Sequence, residues 1–364
     1  MKSLRYISIV ILVAALAISV QLRAQGSAGS EEPVFITFDA PGENQTIPES
    51  INSAGAITGN TSFNSAYQHG FVRAPDGTII TFDAPGAGIA GTYSISINSA
   101  GEITGWFFDA NLVGHGFLRD PNGTITVLDA PGAGTHPFPQ GTYAVSINDG
   151  GTIAGLFSDS QSMAHGFFRS REGKFTTFDV APEVGNFTAA ASINSAGAIT
   201  GIFSGKNAVS GGFVRSVDGK FTYFTAPDGG SIVDQSSDNR PTINAAGTVT
   251  GWFATSGFTA QHGFLRTRDG TFTELTAPVG IAAFPQSINQ AGEITGSCAN
   301  NTPPFAIGFV RRRDGSFVTL NPPGSTSTSA SAQSINDLGE VAGSYQDASL
   351  VIHGFLWAPK RREH

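Results

Sequence analysis

The chain has 364 residues, 13% of them charged, one cysteine, and a formal net charge of -8. A single cysteine excludes an intrachain disulfide, so stability has to come from the core. The acidic balance, which becomes -11 without Lys2, Arg5 and Arg23, argues against nucleic acid and anionic membrane surfaces as partners.

Lys2 and Arg5 precede an apolar run from Ile7 to Val20, followed by Gln21-Leu22-Arg23-Ala24. This is the layout of a secretory signal over residues 1–24, although Leu22 fits the small-residue rule at the cut poorly. A membrane anchor is the alternative, against which stands a run shorter than the ~20 residues that cross a bilayer. The mature chain is therefore expected without a membrane span, secreted or extracellular, with a periplasmic location the variant. Residues 25–33 read as a short linker, and Val34 to Asp39 (VFITFD) reads as a lone strand.

A repeat occupies the rest of the chain. In its clearest copy, Tyr93 to Gly132, apolar runs flank the turns Asn98-Ser99-Ala100-Gly101 and Asp120-Pro121-Asn122-Gly123, which gives four strands in two hairpins. The turn Asn-x-x-Gly recurs from Asn52, Asn98, Asn148, Asn194, Asn244, Asn289 and Asn336, 45 to 50 residues apart. A Gly-Phe pair in the third strand recurs with it, at Phe71, Phe117, Phe167, Phe213, Phe264, Phe309 and Phe355. Four short strands at this period predict an all-β fold, a seven-bladed β-propeller over residues 34–359 with four antiparallel strands per blade. The seventh copy stops after its third strand at Trp357, so the lone N-terminal strand is expected to complete that blade and close the ring; an open solenoid is the alternative. Residues 360–364 form a basic tail.

The two rims differ. One carries short uniform turns ending in Gly, whereas crossovers such as Gly132 to Tyr143 and Asp228 to Arg240 make the other variable, so it is the expected binding face. Residues that break the repeat there are the ligand-binding candidates: Glu49, Tyr93, Gln140, Tyr143, Asp234, Asp238, Arg240, Gln286 and Gln333, with Trp106 and Trp252 further out. Aromatic rings beside amides and carboxylates suit a carbohydrate or a surface protein. Rival classes are a propeller hydrolase or lyase acting on polysaccharide through acids such as Glu49 and Asp238, and a structural cell-surface protein.

His69, His115, His165, His262 and His353 share one position on the third strand. That strand lies roughly 15 Å from the axis, too far for the ring of imidazoles to share a metal. Hairpin counting instead sets His69 against Asp83, His115 against Asp129, His165 against Asp179 and His353 against Asp39, which are structural pairs; His262 faces Thr276. Serines before the inner-strand Ile, such as Ser50 opposite Thr58, read as ladder contacts, and the third-strand arginines as surface or inter-blade donors. Glycines at 59, 105, 155, 201, 251, 296 and 343 are expected to let blades approach one another. No catalytic triad, metal site or cofactor site is read.

The run I-N-x-x-G-x-[IV]-x-G, with His-Gly-Phe-Leu-Trp at 353–357, resembles the bacterial extracellular HAF repeats, named for His-Ala-Phe. The resemblance spans all seven copies and implies export, with no activity and no catalytic residue attached. Gly stands here in place of the Ala, and most copies end in Arg where Trp is common.

Overall fold

The structure, a computed structural model, describes residues 33–62, 67–180, 185–205, 210–227, 230–232, 240–255, 260–299, 306–325 and 330–359. Asp234, Asp238 and the expected signal and tail lie outside the described residues. Those described form an all-β, propeller-like fold, and no helix among them is long and apolar enough to cross a membrane.

Consecutive strands pair antiparallel within each sequence unit. In unit 1 they are Gln45–Ile51, Ile57–Ser62, His69–Arg73 and Ile79–Phe82. The first strands of units 2 to 7 are Thr92–Ile97, Gly141–Ile147, Gly185–Ile193, Thr242–Ile243, Ala282–Ile288 and Ala330–Ile335. In unit 7 the third strand, Ile352–Ala358, takes Val34–Phe38 as its outer partner, with Val34 opposite Ala358 and Phe38 opposite Gly354. The expected joining of the two ends of the repeat is thus present as an antiparallel ladder.

The core repeats with the units. Each third-strand Phe, from Phe71 to Phe355, is fully buried, together with the second-strand Ile or Val that comes after each Gly turn. Packing of adjacent units is reinforced by two sets of side-chain bonds near the inner strands. Asn52 Nδ2 donates to Asn98 O, Asn98 to Asn148 O, Asn148 to Asn194 O, and so through Asn244, Asn289 and Asn336, which donates to Asn52 O, all at 2.9–3.2 Å. The same asparagine shapes its own turn, because Asn52 Oδ1 accepts from the backbone N–H groups of Ala54 and Ala56. One amide therefore serves both the turn and the next unit, which an aspartate could not do.

The second set corrects an expectation. Ser50 does stand opposite Thr58, but the two hydroxyls do not bond one another. Thr58 Oγ1 donates to Phe71 O within its unit, whereas Ser50 Oγ accepts the N–H of Ile97 from the next. Ser96, Ser146, Ser192, Ser287 and Ser334 accept in the same way.

The second-strand glycines also play a different part from the expected one. A Cβ on Gly105 would collide with the carbonyl oxygen of Tyr93 in its own unit, and Gly59, Gly155, Gly201, Gly296 and Gly343 face the equivalent carbonyl. The close approach is within the unit, and its cause is a β-bulge in the first strand. Register slips between Pro48 and Ser50, Ser94 and Ser96, Ala144 and Ser146, Ala190 and Ser192, Pro285 and Ser287, and Ala332 and Ser334. Each slip leaves one residue outside the ladder and bends the strand onto its partner.

Candidate functional site: an axial cavity beside an aromatic cluster

The residues extruded by the bulges are Glu49, Ile95, Val145, Ala191, Gln286 and Gln333. All six line one cavity of about 200 Å³, joined there by Arg240 and by the row Ser50, Ser96, Ser146, Ser192, Thr242, Ser287 and Ser334. Every unit contributes, so the cavity lies where the inner strands converge. Four of the sequence candidates, Glu49, Arg240, Gln286 and Gln333, are thereby brought together. For Glu49, Gln286 and Gln333 the bulge is the reason, because an extra residue that cannot join the ladder is turned out into the cavity; Arg240 instead lies just ahead of the short first strand of unit 5. Two of the slips begin at a proline in an inner strand, Pro48 and Pro285, a residue that in the sequence already marks an interrupted ladder.

The lining is not symmetrical. Taken in order of the units, Arg240, Gln286, Gln333 and Glu49 come from units 5, 6, 7 and 1, and Ile95, Val145 and Ala191 from units 2, 3 and 4. One arc is polar, with opposite charges at its ends; the other is aliphatic. Asn60 Nδ2 donates to Glu49 Oε1 at 3.4 Å.

Next to the cavity, units 2 and 3 carry an aromatic cluster. Tyr93 and Trp106 face each other in the hairpin register and stack with centroids 5.8 Å apart at 16°. Tyr143 of unit 3 meets Trp106 edge-on at 5.9 Å, and Phe108 touches both Tyr93 and Tyr143. Phe138, 68% exposed, extends the cluster outward from Phe108. Arg240, from unit 5, places its guanidinium 5.2 Å over the Trp106 ring and so links cluster and cavity. Burial pushes the phenols of Tyr93 and Tyr143 above their usual range. Tyr143 is itself nearly enclosed and donates its hydroxyl to Pro139 O and Gln140 O, so it positions the crossover above it.

Phe108 and Phe138 were not read from the sequence. Phe108 breaks its repeat position, opposite Gly114, and that was the missed signal. Gln140 is buried, its amide spent on Ser160 O and on the N–H of His136, so it braces the loop. Trp252 is also buried, edge-on to Phe284 at 5.5 Å, which repeats the Trp106–Tyr143 contact three units further round.

The histidine pairs stand as expected, at 2.8–2.9 Å for His69–Asp83, His115–Asp129, His165–Asp179 and His353–Asp39. His262 differs: the register does set it against Thr276, but its imidazole pairs with Glu274, 2.6 Å away. Glu274 lies two residues along the same face of the fourth strand, and its extra methylene spans the diagonal. The second imidazole nitrogen approaches another acid in four units, namely Glu43, Asp109, Asp159 and Asp347, at 3.4–3.9 Å. Asp347 is held below the usual carboxylate range first by the N–H of Val351, with His353 adding to it. Among the described residues no group of acids, histidines or cysteines is arranged to hold a metal. Of the third-strand arginines, expected as surface or inter-blade donors, Arg73, Arg119 and Arg266 are buried and reach between units, lying over the preceding unit's phenylalanine, Arg73 on Phe38, Arg119 on Phe82 and Arg266 on Phe224, at 4.8–5.0 Å.

No protein-family model matches the chain, and no curated protein does. Solved structures do. A streptogramin B lyase is 17% identical, with a TM-score of 0.56, over 89% of this chain and 97% of that one. A puromycin hydrolase is 12% identical, with a TM-score of 0.51, over 85% of this chain but only 52% of the hydrolase. The lectin BP39L from Burkholderia pseudomallei is 8% identical, with a TM-score of 0.50, over 88% of this chain and 99% of the lectin. At these identities the likeness is one of fold, and the fold is of the propeller type.

Proposed function

We propose that the protein is a closed, seven-bladed β-propeller that is exported and acts as a binding module for an extracellular ligand, a carbohydrate or a surface protein, entering by the variable rim. The observation that carries this reading is the convergence of Trp106, Tyr93, Phe108, Phe138 and Arg240 beside the axial cavity. Closure is supported by the asparagine bonds that return from Asn336 to Asn52 and by the ladder between Val34–Phe38 and Ile352–Ala358. Export is supported by the signal-like N-terminus and by the resemblance to HAF repeats. A lectin and two enzymes share the fold, so the fold alone does not choose between binding and catalysis. Retaining glycosidase chemistry would take two carboxylates about 5–5.5 Å apart; Glu49 lines the cavity, and Asp238, the second acid expected for the enzyme, lies outside the described residues.

The test is a panel of polysaccharides, peptidoglycan fragments and surface proteins presented to the purified mature chain, with retention and newly released chain ends measured in the same tubes. Retention without release, weakened at least about tenfold by Trp106→Ala or Phe138→Ala, is expected from a binding surface. Released ends would replace this reading with the enzyme, and Glu49→Gln would then be the first variant to assay. Retention of nothing by the folded chain would point to the structural class.

A further inference from the structure

The axial cavity is more selective than the rim around it. Its polar arc runs from a cation, Arg240, through two amides, Gln286 and Gln333, to an anion, Glu49, and its other arc is Ile95, Val145 and Ala191. The Gln286 and Gln333 side-chain amides make no hydrogen bond to the described residues, although both line the cavity. Beside them, six serine hydroxyls are used as acceptors of a neighbouring N–H, which leaves each O–H to donate toward the space they line. Thr242 Oγ1, in the same row, is buried with no partner among the described residues. A cavity lined by unspent amides and hydroxyls at one side and aliphatic groups at the other is a site for a ligand with the same division.

We infer that the axial cavity binds a short zwitterionic peptide of dipeptide size, with its carboxylate toward Arg240, its ammonium toward Glu49, its amide bond between Gln286 and Gln333, and an aliphatic side chain against Ile95 and Val145. The inference rests on the binding-module reading and names the ligand class of its axial part. Size agrees: about 200 Å³ is below the roughly 300–1,000 Å³ of sites for drug-sized molecules, and an extended dipeptide spans about 7 Å. Charge agrees as well. A neutral sugar could hydrogen-bond to either end of the arc but is not oriented by their opposite charges, whereas a zwitterion is.

The probe is glycyl-L-leucine, titrated calorimetrically into the full mature chain, with its N-acetyl and C-amide derivatives and N-acetylglucosamine in parallel. Binding of the free dipeptide is expected, weakened at least tenfold by either cap. In Glu49→Gln the N-acetyl form should bind as well as the free dipeptide, and in Arg240→Gln the amide should. This pattern cannot arise from a general loss of folding. Equal binding of capped and free peptides, or tighter binding of the sugar, would overturn the assignment of charge. Retention of a polysaccharide or surface protein at the rim with no dipeptide binding would overturn the inference while leaving the module reading in place.

Discussion

At the scale of single residues, the repeat asparagine has the most specific chemistry. Each is buried, its Oδ1 closing a turn and its Nδ2 satisfying a carbonyl of the next unit. Asn148→Asp keeps the acceptor but removes the donor and sets a carboxylate beside Asn194 O. The expected cost is at least about 1–3 kcal/mol, seen as a lower denaturant midpoint with an unchanged slope. Asn148→Ala should cost more, since the turn loses its acceptor too; equal stability of Asn148→Asp and the parent would show that the inter-unit bond adds nothing. The turn role was legible in the Asn-x-x-Gly spacing. The inter-unit role was not, because a local pattern does not say where a second amide hydrogen points. The histidine pairs were legible for the opposite reason: strand alternation has a strict period of 2, so counting from the turn finds the partner. At His262 counting gives the residue opposite, Thr276, but not the side-chain partner, Glu274, because there side-chain length matters more than register.

At the scale of elements, the bulge is what converts a uniform strand into a site. The strands themselves could be read from alternation and Gly turns, but an extra residue in one strand of a pair leaves the alternation on both sides intact. Repeat-breaking residues nevertheless marked Glu49, Gln286 and Gln333, since a position the ladder does not use is free to vary. The bulge also explains the neighbouring glycine. Gly105→Ala should cost about 1–3 kcal/mol or more, because the Tyr93 carbonyl that a Cβ would strike is backbone and cannot swing away. Gly251 occupies the same repeat position in unit 5, where a Cβ would meet Phe264 at 3.1 Å and Pro241 at 3.4 Å. Gly251→Ala is therefore expected to be the milder change when the two are compared by thermal unfolding. Similar losses at both sites would remove the bulge as the cause.

At the scale of the whole molecule, the prediction concerns the joint between the ends of the repeat. Cys298 is buried in unit 6, and its thiol is pushed up to about 11 by that burial, so it is protected from thiol reagents while the fold holds. A chain beginning at residue 39, which lacks Val34–Phe38, leaves Ile352–Ala358 with an unpaired edge. Its Cys298 should react at least about tenfold faster than in a chain beginning at residue 25, because opening of the proposed ring becomes easier throughout. Equal rates would mean that the joint is a local ornament. The same ladder has a mechanical consequence. Val34 sits opposite Ala358, so a force applied through the two ends of the chain acts on one cross-strand bond at a time and peels the strand off like a zipper. Tethered at one end only, the molecule bears no load across that seam; stretched between two anchors, it would yield there first, at low force, before any of the other six units.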